Sequence, residues 1–559
     1  MEYKAILLDV RSIQRYIYAA NKLRTNIGAS YIIENLFSEK LVTVLKENFE
    51  GSMDLTSWEK IKERGGEDVH CRIAYIGGGN AMVLFNNSVS NDKLKQLVAL
   101  FSQKVMVEAP GVHIGAAIGT LDLSNDKSYK ESRDNLFAIL KKNQNNIIPN
   151  VSLPFTGFTQ ICDIDGEVAS YYDEADEQNK RLFQNENENE EHRYFSHEAA
   201  AKARAVEKSE KKLATMFKNI LEQGFKFPTE IDQLGQKEPK RYIAVVHIDG
   251  NNMGVKFSGC NDLNTHRTLS AAIREKTRSS FEKLLVSIVA EYDKYTDKGI
   301  LEFKADKDNK VERILPIRPL ILGGDDVTFV CPARVAVAYA KRFIEYMKEE
   351  SEDMEEGAKS IDCCGGISIL PEKYPFFRGY VLSEQLCDSA KKKMREMWDK
   401  DVAGSGSGWL DFIFLHGEQA PTLGQILKNE YSAVLGRNGG MHFGPYCVVP
   451  PEKVGNDKKF DEDHLLDKLI ACVSKFNNTK DYMSKNKVKE LRGVLQKDKG
   501  TIESFMIQLK KINQKLPDVQ YKHVDTGIGW GTEGNHGYTP YVDAIEMMEF
   551  MEFVEGADN

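Results

Sequence analysis

Three observations predict an α+β fold in which one ferredoxin-like unit occurs twice. A buried-type strand run ending in an aspartate appears twice, as Ala5–Val10 with Asp9 and as Tyr242–Ile248 followed by Asp249. Each run is followed by an apolar hairpin with a glycine-rich tip, over residues 73–85 and again over 318–331. Each hairpin leads into a helix-period stretch and one more strand. The order strand–helix–strand–strand–helix–strand is the ferredoxin-like arrangement.

The elements follow in chain order. In the first copy, strand Ala5–Val10 precedes a helix-like stretch, Ile13 to Ala20. The hairpin 73–85 comes next, and then Leu94, Leu97, Val98, Leu100, Phe101 and Val105 recur at helical spacing. Strand Val112–Ile118 closes the copy, and the first domain is expected over residues 1–150. Residues 151–238 form a helical or linker region between the copies. Within it, Asp173 to Glu191 is polar and acidic and reads as a loop or a solvated helix end. Residues 198–224 read as a long charged helix. Lys202, Arg204, Lys208, Lys211 and Lys212 could touch nucleic acid, but the interleaved Glu207 and Glu210 favour a solvated face. The second copy, expected over 239–402, has strand 242–248, hairpin 318–331, an amphipathic stretch 333–348 and strand Cys363–Ile369. Residues 403–408 (AGSGSG) read as a flexible break. Residues 403–559 are expected to be a mainly helical domain, from the periodicity of Asp463–Leu516 and Tyr541–Phe553.

The chemistry concentrates at the hairpin tip of the second copy. Gly323 and Gly324 make the turn, and Asp325 and Asp326 follow at once. Adjacent carboxylates repel, and a divalent cation removes that cost. Mg²⁺ takes a few carboxylates together with phosphate oxygens and water. Asp249, at the end of a central strand, supplies a third carboxylate, enough for one or two metals in phosphoryl or nucleotidyl transfer. The competing reading is a plain exposed turn. Gly250, Asn251 and Asn252 turn the chain after Asp249. The first copy has Gly77, Gly78, Gly79 and Asn80 at the corresponding tip, so it lacks the carboxylate pair. It is expected to bind nucleotide or shape the site, with no catalytic metal on Asn80.

Composition fits an enzyme with several cores. Apolar residues make up 41% of the chain, and no stretch approaches the length of a membrane span. Nine cysteines without C-x-x-C spacing agree with a reducing compartment, and the expected location is cytoplasmic. The net charge of −9 argues against a strongly basic nucleic-acid binder, while leaving room for local patches or partner subunits.

The opening LLDVRSIQRYIYAANKLRTNIGASYIIENL, the segment HIDGNNMG and the GGDD hairpin together resemble the large polymerase/cyclase subunit of type III CRISPR effector complexes, the Cas10 family, of the Cmr type. The resemblance spans about residues 1–400. It implies two palm domains and a helical C-terminal domain that contacts neighbouring subunits. In that family the second palm's GGDD holds Mg²⁺ and ATP and joins ATP into cyclic oligoadenylates that act as messengers. Carried over, this implies Gly323, Gly324, Asp325, Asp326 and Asp249, with Mg²⁺ or Mn²⁺ as cofactor. The implied partners are the other subunits of the ribonucleoprotein, guide and target RNA through the complex, and no membrane. Some relatives join AMP to S-adenosylmethionine instead, which leaves a second acceptor open. A third reading is a non-catalytic scaffold subunit.

The sequence departs from the family in two places. There is no His-Asp dipeptide, and the first strand starts at Ala5, so the HD-type nuclease of many members is expected to be missing and DNA cleavage with it. The inter-palm region holds only Cys162, so the zinc site of many members is not expected. Three further features each carry two readings. Ser30, in the Gly28-Ala29-Ser30 segment, lies near a bound nucleotide or caps a helix. Lys391, Lys392 and Lys393 neutralise triphosphate, with Lys392 taken as the contact, or lie on a surface helix. His247 supports Asp249 from the same strand face or is simply packed. The glycine-rich run 435–440 carries one Arg and no further sign of a phosphate cradle.

Overall fold

The computed structural model describes residues 2–49, 53–54, 71–77, 79–145, 157–162, 164–172, 194–236, 241–303, 313–352, 354, 361–399, 406–415, 422–436, 439–454, 459–533 and 536–551. The acidic run 173–191, Gly78, residues 403–405 of the expected break, and Arg437 and Asn438 of the glycine-rich run lie outside them. The chain divides into two compact units. The first comprises Met1–Leu221 with Asn252–Glu275, and the second Glu222–Asn251 with Lys276–Asn559.

The first unit contains strands β1 (Glu2–Arg11), β2 (Cys71–Gly77), β3 (Asn80–Phe85) and β4 (His113–Asp122). They lie in the order β2-β3-β1-β4, with a two-residue strand, Met53–Asp54, outside β2. Each of the three contacts among the four main strands is antiparallel, which is the ferredoxin-like sheet. Ala5, Leu7, Met82, Leu84, Ala117 and Leu121 form its core, against Tyr129, Leu136 and Leu140 of the helix Asp126–Asn145. The expected helix Ile13–Ala20 is shorter, Ile13–Ile17, and a second helix runs from Leu23 to Asn35.

The long charged helix of the inter-palm region is His197–Met216. Its expected solvated face is only part of its surface. Ala199, Ala200 and Ala203 are buried, and Lys202 is buried with them. Lys202 Nζ donates to Tyr16 O at 2.7 Å and pairs with Glu198 at 2.6 Å. The alanines allow close approach to helix Leu23–Asn35, where a Cβ on Gly28 would stand 1.7 Å from Lys202 O. That approach accounts for the glycine of the Gly-Ala-Ser segment. Ser30 lies inside that helix and caps neither end.

The second unit contains β5 (Tyr242–Gly250), β6 (Arg318–Gly323), β7 (Asp326–Pro332), β8 (Cys363–Pro371), β9 (Gly408–Phe414) and β10 (Tyr446–Val449), in the order β6-β7-β5-β8-β9-β10. The first four repeat the ferredoxin-like order. Strand β9 runs parallel to β8, a pairing that needs a crossover, and the helix Phe376–Met397 supplies it. The second sheet therefore continues past residue 402, where the sequence suggested a separate helical domain. Trp409, Phe412 and Ile413 are buried, so β9 adds hydrophobic area that an isolated helical domain would leave exposed. Helices Leu466–Asn477, Lys485–Leu495, Lys499–Lys511 and Tyr541–Met547 make up most of the rest. Among the described residues no helix is long and apolar enough to cross a membrane.

Candidate active site

Strand alternation sets up the site. Val245, His247 and Asp249 of β5 face the helix Phe376–Met397. Val245 lies beside Gly379, the His247 ring packs 5.6 Å from Tyr380, and Asp249 is ion-paired with Lys391. Val327 of β7 is opposite Ile248, so the next rung sets Asp326 beside Asp249. Gly323 pairs with Asp326, which leaves Gly324 and Asp325 as a two-residue hairpin turn. Gly324 has φ +63°, the left-handed value that the first turn position of a II′ hairpin requires. A Cβ on Gly323 or Gly324 would meet nothing within 4 Å, so the backbone of the tip is open to a ligand. Thr277 Oγ1 donates to Gly324 O at 2.6 Å and fixes the tip from the helix Leu263–Ala290.

The structure thus brings together Asp249, Asp325 and Asp326. Burial, followed by the charge of the neighbouring Asp249, holds Asp325 well above the usual carboxylate range. Burial and then Asp249 push Asp326 up to about 8. Asp326 Oδ1 is buried and accepts no hydrogen bond. His247 Nδ1 stands 3.4 Å from it and 3.1 Å from Thr328 Oγ1. Burial lowers the pKa of His247, so the ring is neutral and packed, as well as adjacent to the carboxylates.

Lys391 is the cation at this site. Burial is the largest influence and acts against its ammonium, but Asp249 together with the nearby Cys387 and Cys364 raises its pKa. Lys392, the residue singled out from sequence, is exposed on the same helix. The helical period decides between them. Glu384, Asp388 and Lys391 recur at steps of four and three, on the stripe that faces His247 and Asp249. That stripe was available in the sequence as a signal. Glu384 itself is half-buried, and burial raises its carboxyl.

Among the described residues no group of three His, Cys, Asp or Glu side chains forms a ready metal cage. The donor set nevertheless fits a hard divalent cation. Two carboxyls are forced up by burial and by a third, one buried oxygen lacks a partner, and a lysine ammonium already neutralises Asp249. Mg²⁺ sites commonly use one or two carboxylates and complete their shell with substrate phosphate and water.

The turn after Asp249 is ordered. Gly250 pairs with Cys363, and Asn251 N–H donates to Asp362 O at 2.8 Å. Asn251 is buried and its side chain donates to Ser407 O at 3.1 Å, so it braces the turn. Asn252, φ 57°, opens the helix Met253–Ser258.

The first unit has the same backbone with different chemistry. Asp9 is opposite Asn80 on one side and Gly115 on the other. Gln144 Nε2 donates to Asp9 Oδ2 at 2.7 Å, from the helix that follows β4. Burial raises the Asp9 carboxyl, and Gln144 and Arg11 pull it part of the way back. Gly77 pairs with Asn80, so Gly79 corresponds to Asp325. Its φ is +90°, and a Cβ there would stand 2.4 Å from Ile13 Cδ1.

Residues 242–399 match the family of the Cas10/Cmr2 second palm domain. The chain carries a Cas10/Cmr2 second palm. A solved Csm1–Csm4 cassette in complex with pppApApA is similar to the chain with a TM-score of 0.50 at 11% identity, over 98% of this chain and 69% of that one. The cassette in complex with AMPPNP matches with a TM-score of 0.38 at 14% identity, over 70% of this chain and 53% of that one. The chain thus spans about half the length of this second relative. No curated protein sequence matches the chain significantly. At these identities the structural likeness concerns the fold. The Cas10-type palm contains every residue of the carboxylate cluster.

Proposed function

We propose that the second palm is a metal-dependent nucleotidyltransferase that joins adenylates from ATP into a cyclic oligoadenylate-type messenger, as a subunit of a type III CRISPR complex. The observation that carries this reading is the convergence of Asp249, Asp325 and Asp326 at the tip of a Cas10/Cmr2 palm. The relative solved in complex with pppApApA supports the choice of adenylate.

In this reading the three aspartates would hold one or two Mg²⁺ or Mn²⁺ ions. A bound divalent ion supplies charge neutralisation at the phosphoryl oxygens and at the attacking hydroxyl. The chain's own residues do the positioning. Gly323 and Gly324 leave room for phosphate against the hairpin backbone. Thr277 and Asn251 hold the tip and the turn after Asp249 rigid. Lys391, paired with Asp249, is within reach of negative charge that arrives there. Gly250 and Asn252 shape the adjoining turn, and Asn80, Gly78 and Ser30 of the first palm are expected to act on nucleotide binding only. The other subunits, with guide and target RNA, are the partners in this reading.

The test is incubation of the chain, alone and within its complex, with radiolabelled ATP and Mg²⁺, with and without S-adenosylmethionine. Adenylate oligomers made by the wild type and lost in the Asp325→Ala, Asp326→Ala double variant are expected. A product that forms only with S-adenosylmethionine would reassign the acceptor. No product under any condition would leave a scaffold.

A further inference from the structure

The basic residues of this acidic protein are unevenly distributed. Residues 475–515 carry eleven Lys and Arg against four Asp and Glu, an excess of seven positive charges in a chain whose total is −9. This stretch covers the end of helix Leu466–Asn477, helices Lys485–Leu495 and Lys499–Lys511, and their connections.

One face of it borders a cavity of about 520 Å³, within the range of roughly 300–1,000 Å³ for ligand pockets. Three aromatic rings line it, half-buried Tyr242 and the largely buried Phe414 and Phe550. They pack on one another at centroid distances of 4.9, 5.8 and 5.1 Å. Lys485, Lys489 and Asn477 also line it. Lys485 and Lys489 are exposed, lie one helical turn apart, and have no ion-pair partner among the described residues. The carboxylate of Glu546 is neutralised by Arg492 at 2.7 Å, and Glu549 is the other acidic residue of the wall. The cavity is not the carboxylate site. Tyr242 and Asp249 lie at opposite ends of β5, roughly 23 Å apart at about 3.3 Å per residue.

Beyond the cavity the basic surface continues past an aromatic ring. Lys475 and Lys515 stand over the half-buried ring of Tyr482, at 5.9 and 5.5 Å from its centroid. Lys475 Nζ donates to the Asp518 carbonyl, and none of Lys475, Lys485, Lys489 and Lys515 pairs with a carboxylate among the described residues. A run of such ammonium groups interleaved with aromatic rings suits a chain of phosphates whose bases are unstacked. One mononucleotide could not use charges spread from Lys489 to Lys515. A duplex offers no free base to the rings. An acidic polypeptide would use the lysines but not the aromatic cavity.

We propose that this face binds a single strand of nucleic acid, with phosphates on Lys485, Lys489, Lys475 and Lys515 and a base entering the cavity beside Tyr242. The assignment does not depend on the chemistry of the palm.

The test is fluorescence anisotropy of a short labelled single-stranded RNA with the full chain, without ATP, across a salt series. A matching single-stranded DNA reports whether the sugar matters. The Lys485→Glu, Lys489→Glu variant should bind about tenfold or more weakly, with a log–log salt slope shallower by about 1.4 for two lost phosphate contacts. Tyr482→Ala should weaken binding severalfold while leaving that slope unchanged. Lys208→Glu, Lys211→Glu, on the exposed side of another helix, makes the same change in net charge and should bind like the wild type. Melting curves of all variants establish that they fold. The proposal is overturned if the wild type binds no single strand, if the control reversal weakens binding equally, or if duplex RNA or polyglutamate competes as well as the single strand. ATP turnover of the same variants, measured separately, keeps this outcome distinct from the outcome for the palm.

Discussion

The two palms of this chain share a backbone and differ in charge. Both have an aspartate near the end of the central strand, and three residues later both have a left-handed residue, Ser12 at φ 54° and Asn252 at φ 57°. In both, the first hairpin strand is bulged three residues before its closing glycine, at Ala74 and Leu320. Such features are costly to keep, so their recurrence marks two versions of one design. The side chains diverge. Asp249 faces Lys391 and two further carboxylates, whereas Asp9 faces Gln144 and Asn80. Restoring the pair in the first hairpin would be strained, because Gly79, at the position of Asp325, has φ +90°, and a Cβ there would also have to displace the tip of the Ile13 side chain. The carboxylate pair of the second tip therefore goes with a particular turn as well as with acidic residues.

The strongest way to break this comparison is to make the second palm resemble the first. Replacing Asp325 and Asp326 with alanine should lower ATP conversion by roughly 10³-fold or more, since a bound metal supplies several kcal/mol of stabilisation. The fold should survive. Mg²⁺ at ten times its Kd should raise wild-type stability by about 1.4 kcal/mol and leave the double variant unmoved. Wild-type turnover in that variant would place the chemistry elsewhere.

Lys391→Gln copies the Asp9–Gln144 pair into the second palm. It leaves Asp249 without its cation, and in chelator it should cost roughly 1–3 kcal/mol, because a partly buried charge loses its partner. Urea unfolding measures this, and added Mg²⁺ should restore part of the loss. Unchanged stability would show that the ion pair does not contribute.

The pH dependence sharpens the comparison further. Asp325 and Asp326 have folded-state pKa values raised above the unfolded value of 3.8, to about 8 for Asp326. The folded state therefore binds more protons than the unfolded state, and stability falls as pH rises from about 4 to about 8. Metal-free wild type should lose stability over that window relative to the Asp325→Asn, Asp326→Asn variant, and the difference should level off above it. Parallel melting curves for the two proteins across the window would contradict the clustered carboxylates.

The smallest effect is expected in the first palm. Asn80→Ala should change apparent ATP affinity a few-fold and leave the chemical step nearly unchanged, which a comparison of KM with kcat resolves. Complete loss of turnover with ATP binding intact would mean that the first palm takes part in the reaction.

Much of this was legible in the sequence because it depends on local pattern. Strand runs, hairpin tips and their order follow from periodicity and turn residues, and Asp249, Asp325 and Asp326 follow from their positions at strand ends. Which lysine reaches the site was not obvious, since Lys391, Lys392 and Lys393 are equivalent in composition. Only the docked face of the helix Phe376–Met397 separates half-buried Lys391 from exposed Lys392. Lys202 departs from its expected solvated face for a similar reason. Glutamates one and two turns away suggest solvent, but the alanine face of its helix packs closely on Gly28 and draws the lysine stem inside. The continuation of the second sheet into Gly408–Phe414 also depends on a partner distant in sequence, strand Cys363–Pro371. Sequence alone determined the repeat, the hairpin chemistry and the three carboxylates, because these are encoded within a few residues of one another. Tertiary structure alone decided the cation on Asp249, the raised carboxyl pKa values and the positive-φ turn that disfavours a carboxylate in the first hairpin, because burial, charge proximity and the final turn conformation arise only when distant segments meet.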